Sequence, residues 1–236
     1  MSSMKSEIGI DVGGRLIPVE VRRYPKARTY RLRFDTRAGV LRLSMPHRSN
    51  MGKAIAWAQG QTEWVAKQLA TASAPEKFAD DAMFPLEGKK LRILWSATHP
   101  RTPRVEDDWL LVGGPVETIG ARVQRWLKAR AKLVLSAESH DMAEGAGLRV
   151  TSVAVGDPRS RWGSCSSTGA LRYSWRLILA PPEVRRATVA HEVAHLVHMD
   201  HSPAFHAAHA EILGEDPRPA RAWLRRHGAD LHRYIA

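Results

Sequence analysis

The stretch HEVAHLVHMDHS, residues 191–202, sets four histidines and one glutamate within twelve positions. It constrains the fold more tightly than any other part of the chain. The preceding PPEVRRATVA opens with two prolines and a glutamate, a helix-start signature. A helix through this region puts His191 and His195, four apart, one turn apart on one face, where both imidazoles reach a single ion. Eleven histidines in 236 residues make a chance HExxH a roughly 0.03-fold event per chain, so the match carries information. His201 follows His191 by ten residues, and reaching the same ion requires the chain to turn after His198. MDHSP supplies that turn: Asp200 tolerates unusual backbone geometry, and Pro203 disfavours helix at the residue before it.

Three neutral imidazoles around one ion, with a fourth position left open, is the catalytic arrangement of zinc, whose bound water is acidified toward neutral pH. The candidate ligands are His191, His195 and His201, and the cofactor is one Zn2+ per chain. Glu192, beside the first ligand, is the candidate general base. Two rivals stand for the third ligand. His198 shares the helix face, although one straight helix cannot aim three successive turns at one ion, and it reads foremost as a neighbour that supports the ligands. Glu211, twenty residues after His191, is the other. His206 and His209 read as surface or packing histidines. Iron, manganese or nickel in the site are not excluded by this donor set. The single cysteine, Cys165, excludes an intramolecular disulfide and an all-cysteine zinc site. As a nucleophile it is redundant beside a zinc-activated water.

The surroundings read as α+β. LIPVEVRRY, TYRLRFD and GVLRLSMP are short strands, with DTRAG turning between the last two. SNMGKAIAWAQGQTEWVAKQLA reads as one helix and TASAPEKFADDAM as a linker. FPLEGKKLRILWS and DDWLLVGG form a second β section. A long helix is expected from about Val116 to Ala143, with Ile119, Val123, Trp126 or Leu127, and Val134 on its apolar face. LRVTSVAVG is a strand, and RWGSCSSTGALRYSWRLILA reads as two strands around SSTG. Ser202 as N-cap, Pro203 at the first turn and Gly214 as terminator mark a helix after the metal motif. The tail forms a last helical piece. Two sections follow: a β-rich one with a helix over 1–75, and the metal-bearing one over 76–236.

The formal charge is +12. From Arg15 to Arg48 ten residues are basic and two acidic, and in YRLRF the bases Arg31 and Arg33 share one strand face. That admits a nucleic-acid partner through the basic N-terminal section. No apolar run is long enough to span a membrane, and the first residues lack an apolar signal core, so a cytoplasmic protein without a membrane partner is expected.

RWGSCSSTGALRYSWRLILAPPEV followed by HEVAHLVHMDHSPAFH resembles the YgjP-like metallopeptidase family, related to the SprT and WLM groups of zincins. The resemblance is dense from about Ser160 to Phe205. It implies a small zincin-like core in which the HExxH helix lies under a short β-sheet, with zinc held by three histidines. The HExxH then HSxxF pattern falls on His191, Glu192, His195, His201, Ser202 and Phe205; His206 stands where the family often carries tryptophan. In zincins an edge strand above the cleft holds an extended peptide, and ALRYSWR is the candidate. Trp162 and Trp175 are expected to pack under the metal helix, with Arg161 and Arg176 pairing with carboxylates or lining the cleft.

The leading expectation is a zinc-dependent peptidase acting on a peptide or protein, in which Glu192 moves the proton of a zinc-activated water. Tyr173, His198 and Arg176 are the candidates to support the oxyanion. The alternatives are a DNA-associated zincin acting on DNA-bound proteins, and a non-catalytic zinc scaffold.

Overall fold

The computed structural model describes residues 8–35, 38–71 and 75–236. Its chain divides into two compact units, Met1–Ala74 and Pro75–Ala236.

In the first unit, strands β1 (Gly9–Val12), β2 (Arg15–Tyr24), β3 (Arg31–Asp35) and β4 (Val40–Pro46) form one sheet in the order β1-β2-β4-β3. β2 and β4 run parallel, and the other pairs are antiparallel. Gly13 and Gly14, at φ 61° and 84°, make the two-residue turn from β1 to β2, a conformation that favours glycine. Alternation along β4 buries Leu41, Leu43 and Met45. They pack with Ala54 and Ala58 of α1 (Met51–Gln59) and Val65 of α2 (Thr62–Thr71). The single helix expected here is two. Gly60 caps α1, and the Thr62 hydroxyl donates to the Gln59 carbonyl, diverting the chain before α2. Part of DTRAG and of TASAPEKFADDAM lies outside the described residues.

The second unit opens with β5 (Glu76–Lys77), then β6 (Met83–Leu86), β7 (Lys89–Trp95), β8 (Arg104–Glu106) and β9 (Trp109–Val112), the last four paired in the order β6-β7-β9-β8. A short 3-10 turn, Val116–Thr118, leads into α3 (Ile119–Gly145). Its buried stripe runs through Ile119, Val123, Leu127, Ala131, Leu135 and Met142, the one-face periodicity of an amphipathic helix. β10 (Ser152–Gly156), β11 (Gly163–Cys165) and β12 (Ala170–Ser174) form a small sheet in the order β10-β12-β11. The strand expected to continue through WRLIL stops at Ser174. Trp175–Leu179 is a 3-10 helix, started by Ser174, whose side chain accepts from the Arg176 N–H. Then come α4 (Pro182–Ala194), α5 (Pro203–Leu213), α6 (Arg218–Leu231) and β13 (Tyr234–Ile235), which pairs parallel with β5. Among the described residues the architecture is mixed α/β, with six α-helices and several small sheets. Among the described residues, no helix is long and apolar enough to cross a membrane.

α4 is tied into the core by Val184, Val189, Ala190 and Val193, all buried. Arg185, 5 % exposed, also holds it by a two-pronged ion pair to Glu138 of α3 at 2.8 and 3.0 Å. Removing either partner of such a pair strands a buried charge.

Candidate metal centre

His191 and Glu192 lie in the last turn of α4, and the helix ends at Ala194, earlier than its apolar pattern suggests. The cause is visible at His195, which caps it. The Nδ1 of His195 lies 2.9 Å from the carbonyl oxygen of His198. A carbonyl only accepts, so this nitrogen carries the proton and Nε2 keeps its lone pair. The next turn is shaped by Asp200, whose carboxylate accepts the Ser202 N–H at 3.2 Å. α5 then starts with Ser202 as N-cap, accepting from the Phe205 N–H, and ends at Gly214 in the left-handed conformation, φ 78°. His201 is thereby folded back onto α4.

The donor atoms of His191, His195 and His201 all lie within 4.8 Å of one another. The Nε2 atoms of His191 and His201 are 3.2 Å apart. Four ligands at zinc–nitrogen bonds of about 2.0–2.1 Å place neighbouring nitrogens roughly 3.3 Å apart, so the spacing suits a tetrahedral ion. Burial pushes His191 down to about 3, helped by the neighbouring His209, and lowers His201 as well. The lowering favours the neutral imidazole at His191 and His201, the form that binds metal. Phe205, 0 % exposed, forms an apolar floor under all three. Its ring centroid lies 4.9 Å from His191, 4.5 Å from His195 and 4.8 Å from His201.

Glu192 is 5 % exposed. Its burial lifts the carboxyl to about 7, against the opposing charge of Arg161. The carboxylate is pressed against β11. A Cβ at Gly163 would fall 2.4 Å from its Oε1, so only glycine fits there. Glu192, His191 and His201 open on a cavity of about 330 Å3, also lined by Arg161, Trp162, His209 and Arg221.

His198 neighbours the ligands, its backbone carbonyl against His195, while it lines a separate cavity of about 720 Å3 together with Glu211; neither joins the triad. Several other expectations are corrected. Tyr173 is fully buried, its hydroxyl 3.0 Å from that of Ser139, and burial pushes its pKa well above the phenol range. Arg176 is fully buried too and takes the carboxylate pairing expected of it rather than a place at the oxyanion: it pairs with Asp157 at 2.8 Å and donates to the carbonyls of Leu231 and Tyr234. Neither side chain is among those lining the cavity beside Glu192. β12, carrying ALRYS, is the central strand, flanked by β10 and β11. The edge strands are β10 and β11, and β11 is the one beside Glu192. Trp175 does pack in the core. Trp162, partly buried, packs against the same core and also lines the cavity and abuts α6, where a Cβ at Gly228 would meet its ring at 2.8 Å. The Cys165 thiol is held protonated by burial and by the charge of Glu192.

Arg221 of the cavity escapes sequence reasoning, while His209, expected as a surface or packing histidine, is a packing one that also lines the cavity. His209 is 7 % exposed, with Nε2 3.0 Å from the Ala187 carbonyl and its ring 5.2 Å from that of His191. Its spacing four after Phe205, on the same face of α5, was the available signal. Arg221, on α6, had none.

Searches of curated proteins and of solved structures each gave no match. The family model of the YgjP-like metallopeptidase domain matches residues 28–227, which takes in the triad, Glu192, Gly163 and both cavity arginines. The chain belongs to the YgjP-like metallopeptidase family.

Proposed function

We propose that this protein is a zinc-dependent peptidase, with His191, His195 and His201 as ligands and Glu192 as general base. The observation that carries this reading is the buried Glu192 carboxylate facing the same cavity as the imidazoles of His191 and His201. Zinc bound there would polarise a peptide carbonyl and acidify a water. Glu192 takes the proton of the attacking water and delivers it to the departing amine nitrogen; a pKa near neutrality suits both transfers. An extended substrate is taken to pair with the edge of β11, whose backbone passes beside Glu192. Arg161 and Arg221, lining the cavity, are the cations available to the oxyanion. A scaffold that merely holds metal has no need of a buried base or of a cavity in front of it.

Elemental analysis of protein purified without added metal, paired with cleavage of a quenched fluorescent peptide mixture, tests this. Wild type is expected to hold near one zinc per chain, and His201→Ala to lose it. Glu192→Gln is expected to retain zinc while turnover falls by about 10²–10⁴-fold. Zinc retained in His201→Ala, or full turnover in Glu192→Gln, overturns the assignment.

A further inference from the structure

The first unit carries a feature the metal centre does not use. Residues 1–74 hold thirteen basic and five acidic side chains, so +8 of the chain's +12 sits there. Much of it lies on one face of the sheet. Across the strands, Arg22 of β2, Ser44 of β4 and Arg31 of β3 stand in one row, and Glu20, Arg42 and Arg33 in the next. Residues paired in this way share a face, and Arg22, Arg31 and Arg33 are exposed. The opposite face is the one buried under α1 and α2. Arg42 is neutralised by Asp35 and Glu20. Among the described residues, no carboxylate pairs with Arg22, Lys26, Arg28, Arg31 or Arg33.

The segment from β2 to β3 builds a recess on this face. A cavity of about 470 Å3 is walled by Lys26, Arg28 and Arg31, with Ser44 and Tyr24 at its side. Three cations and a hydroxyl around one concavity form a receptor for an oxyanion. Arg31 and Arg33, two apart on one strand, set a second charge about 7 Å farther along. Tyr24, 43 % exposed on the same face, offers a ring for stacking.

We infer that the outer face of this sheet binds single-stranded nucleic acid, with Lys26, Arg28 and Arg31 clasping a phosphate, Arg22 and Arg33 extending the track, and Tyr24 stacking on a base. A single strand fits better than a duplex. The unpaired cations lie on a sheet, whereas α1 carries one lysine and the Lys67 ammonium of α2 is paired with Glu63. Among the described residues of this unit, neither helix presents a cluster of free cations to a major groove.

Fluorescence anisotropy of a labelled mixed-sequence single-stranded DNA 20-mer, titrated with the full chain at several KCl concentrations, tests the inference. Four to five phosphate contacts give a log–log salt slope of about −3, or roughly 60-fold weaker binding from 50 to 200 mM. The exposed triple substitution Lys26→Ala, Arg28→Ala, Arg31→Ala should weaken binding at least tenfold and bring the slope toward about −1, with an unchanged circular dichroism spectrum. Tyr24→Ala should weaken it about fivefold or more at constant slope. Binding insensitive to salt or to the triple substitution overturns the inference. So does equal or tighter binding of a duplex 20-mer, or equal displacement by polyglutamate of matched charge. No peptide is cleaved in this assay, so its failure leaves the zinc-peptidase reading standing, and the reverse also holds.

Discussion

Gly163 governs Glu192 by having no side chain. With a methyl group at 163 the carboxylate must move, since the added carbon would lie 2.4 Å from Oε1 and 2.6 Å from Cγ and Cδ. A displacement near 1 Å is enough to cost about 10²-fold in rate. Gly163→Ala is therefore expected to keep zinc and lose at least that factor in kcat, as steady-state cleavage and elemental analysis would show. The same carboxyl group gives a pH effect on the metal-free protein. Its pKa rises from about 4.5 in the open chain to about 7 in the fold because burial disfavours the charged form. The neutral form is the one the fold favours, so this contribution is fully present below pH 4.5 and is lost as pH rises through 7. Metal-free Glu192→Gln should thus gain stability over metal-free wild type at pH 8, by up to about 3 kcal/mol, and little at pH 4. Melting curves at the two pH values decide it, and equal gains at both would refute the account.

At the scale of elements, α5 is the arm that returns His201. Its Ser202 N-cap, 3.4 Å from the Phe205 N–H, holds the turn that follows Asp200. Ser202→Ala is expected to cost about 1 kcal/mol of stability and also to weaken zinc binding, read by competition with a chromogenic chelator. Here the sequence was most legible, because Ser202, Pro203 and Gly214 each act locally. His191 and His195 were legible for the same reason: a four-residue spacing on a helix needs no knowledge of the rest of the fold. What was not legible depends on distant pairing. β10 joins β12 in parallel and so puts ALRYS in the middle of the sheet, a relation absent from any local pattern. Arg176 sits beside Trp175 in a polar-looking SWR, yet it closes on Asp157 and on carbonyls more than fifty residues away. The long helix SNMGKAIAWAQGQTEWVAKQLA was over-read because its apolar period continues across Gly60.

For the second unit as a whole, Arg176 is the chief polar tie between the small sheet and the chain's end. It reaches Asp157 just after β10, the Leu231 carbonyl closing α6 and the Tyr234 carbonyl in β13. Arg176→Met keeps the volume and removes every one of these bonds, leaving a carboxylate and two carbonyls to find new partners. Denaturant unfolding should show a loss on the order of 3–5 kcal/mol, with the sites of His191, His195 and His201 affected only through stability. A loss below about 1 kcal/mol would show that solvent replaces the arginine cheaply.

The Phe205 ring beneath the three imidazoles has one more consequence. A ring touching each of them restricts their torsions before any ion arrives, so the entropy of gathering the ligands is surrendered during folding rather than on capture. The apoprotein is then a preorganised receptor. Loading should proceed without a slow rearrangement, and the histidine ring resonances of the empty protein should already be narrow and dispersed. Replacing Phe205 with leucine would keep the donors and lose that readiness, which would surface as slower and weaker zinc uptake.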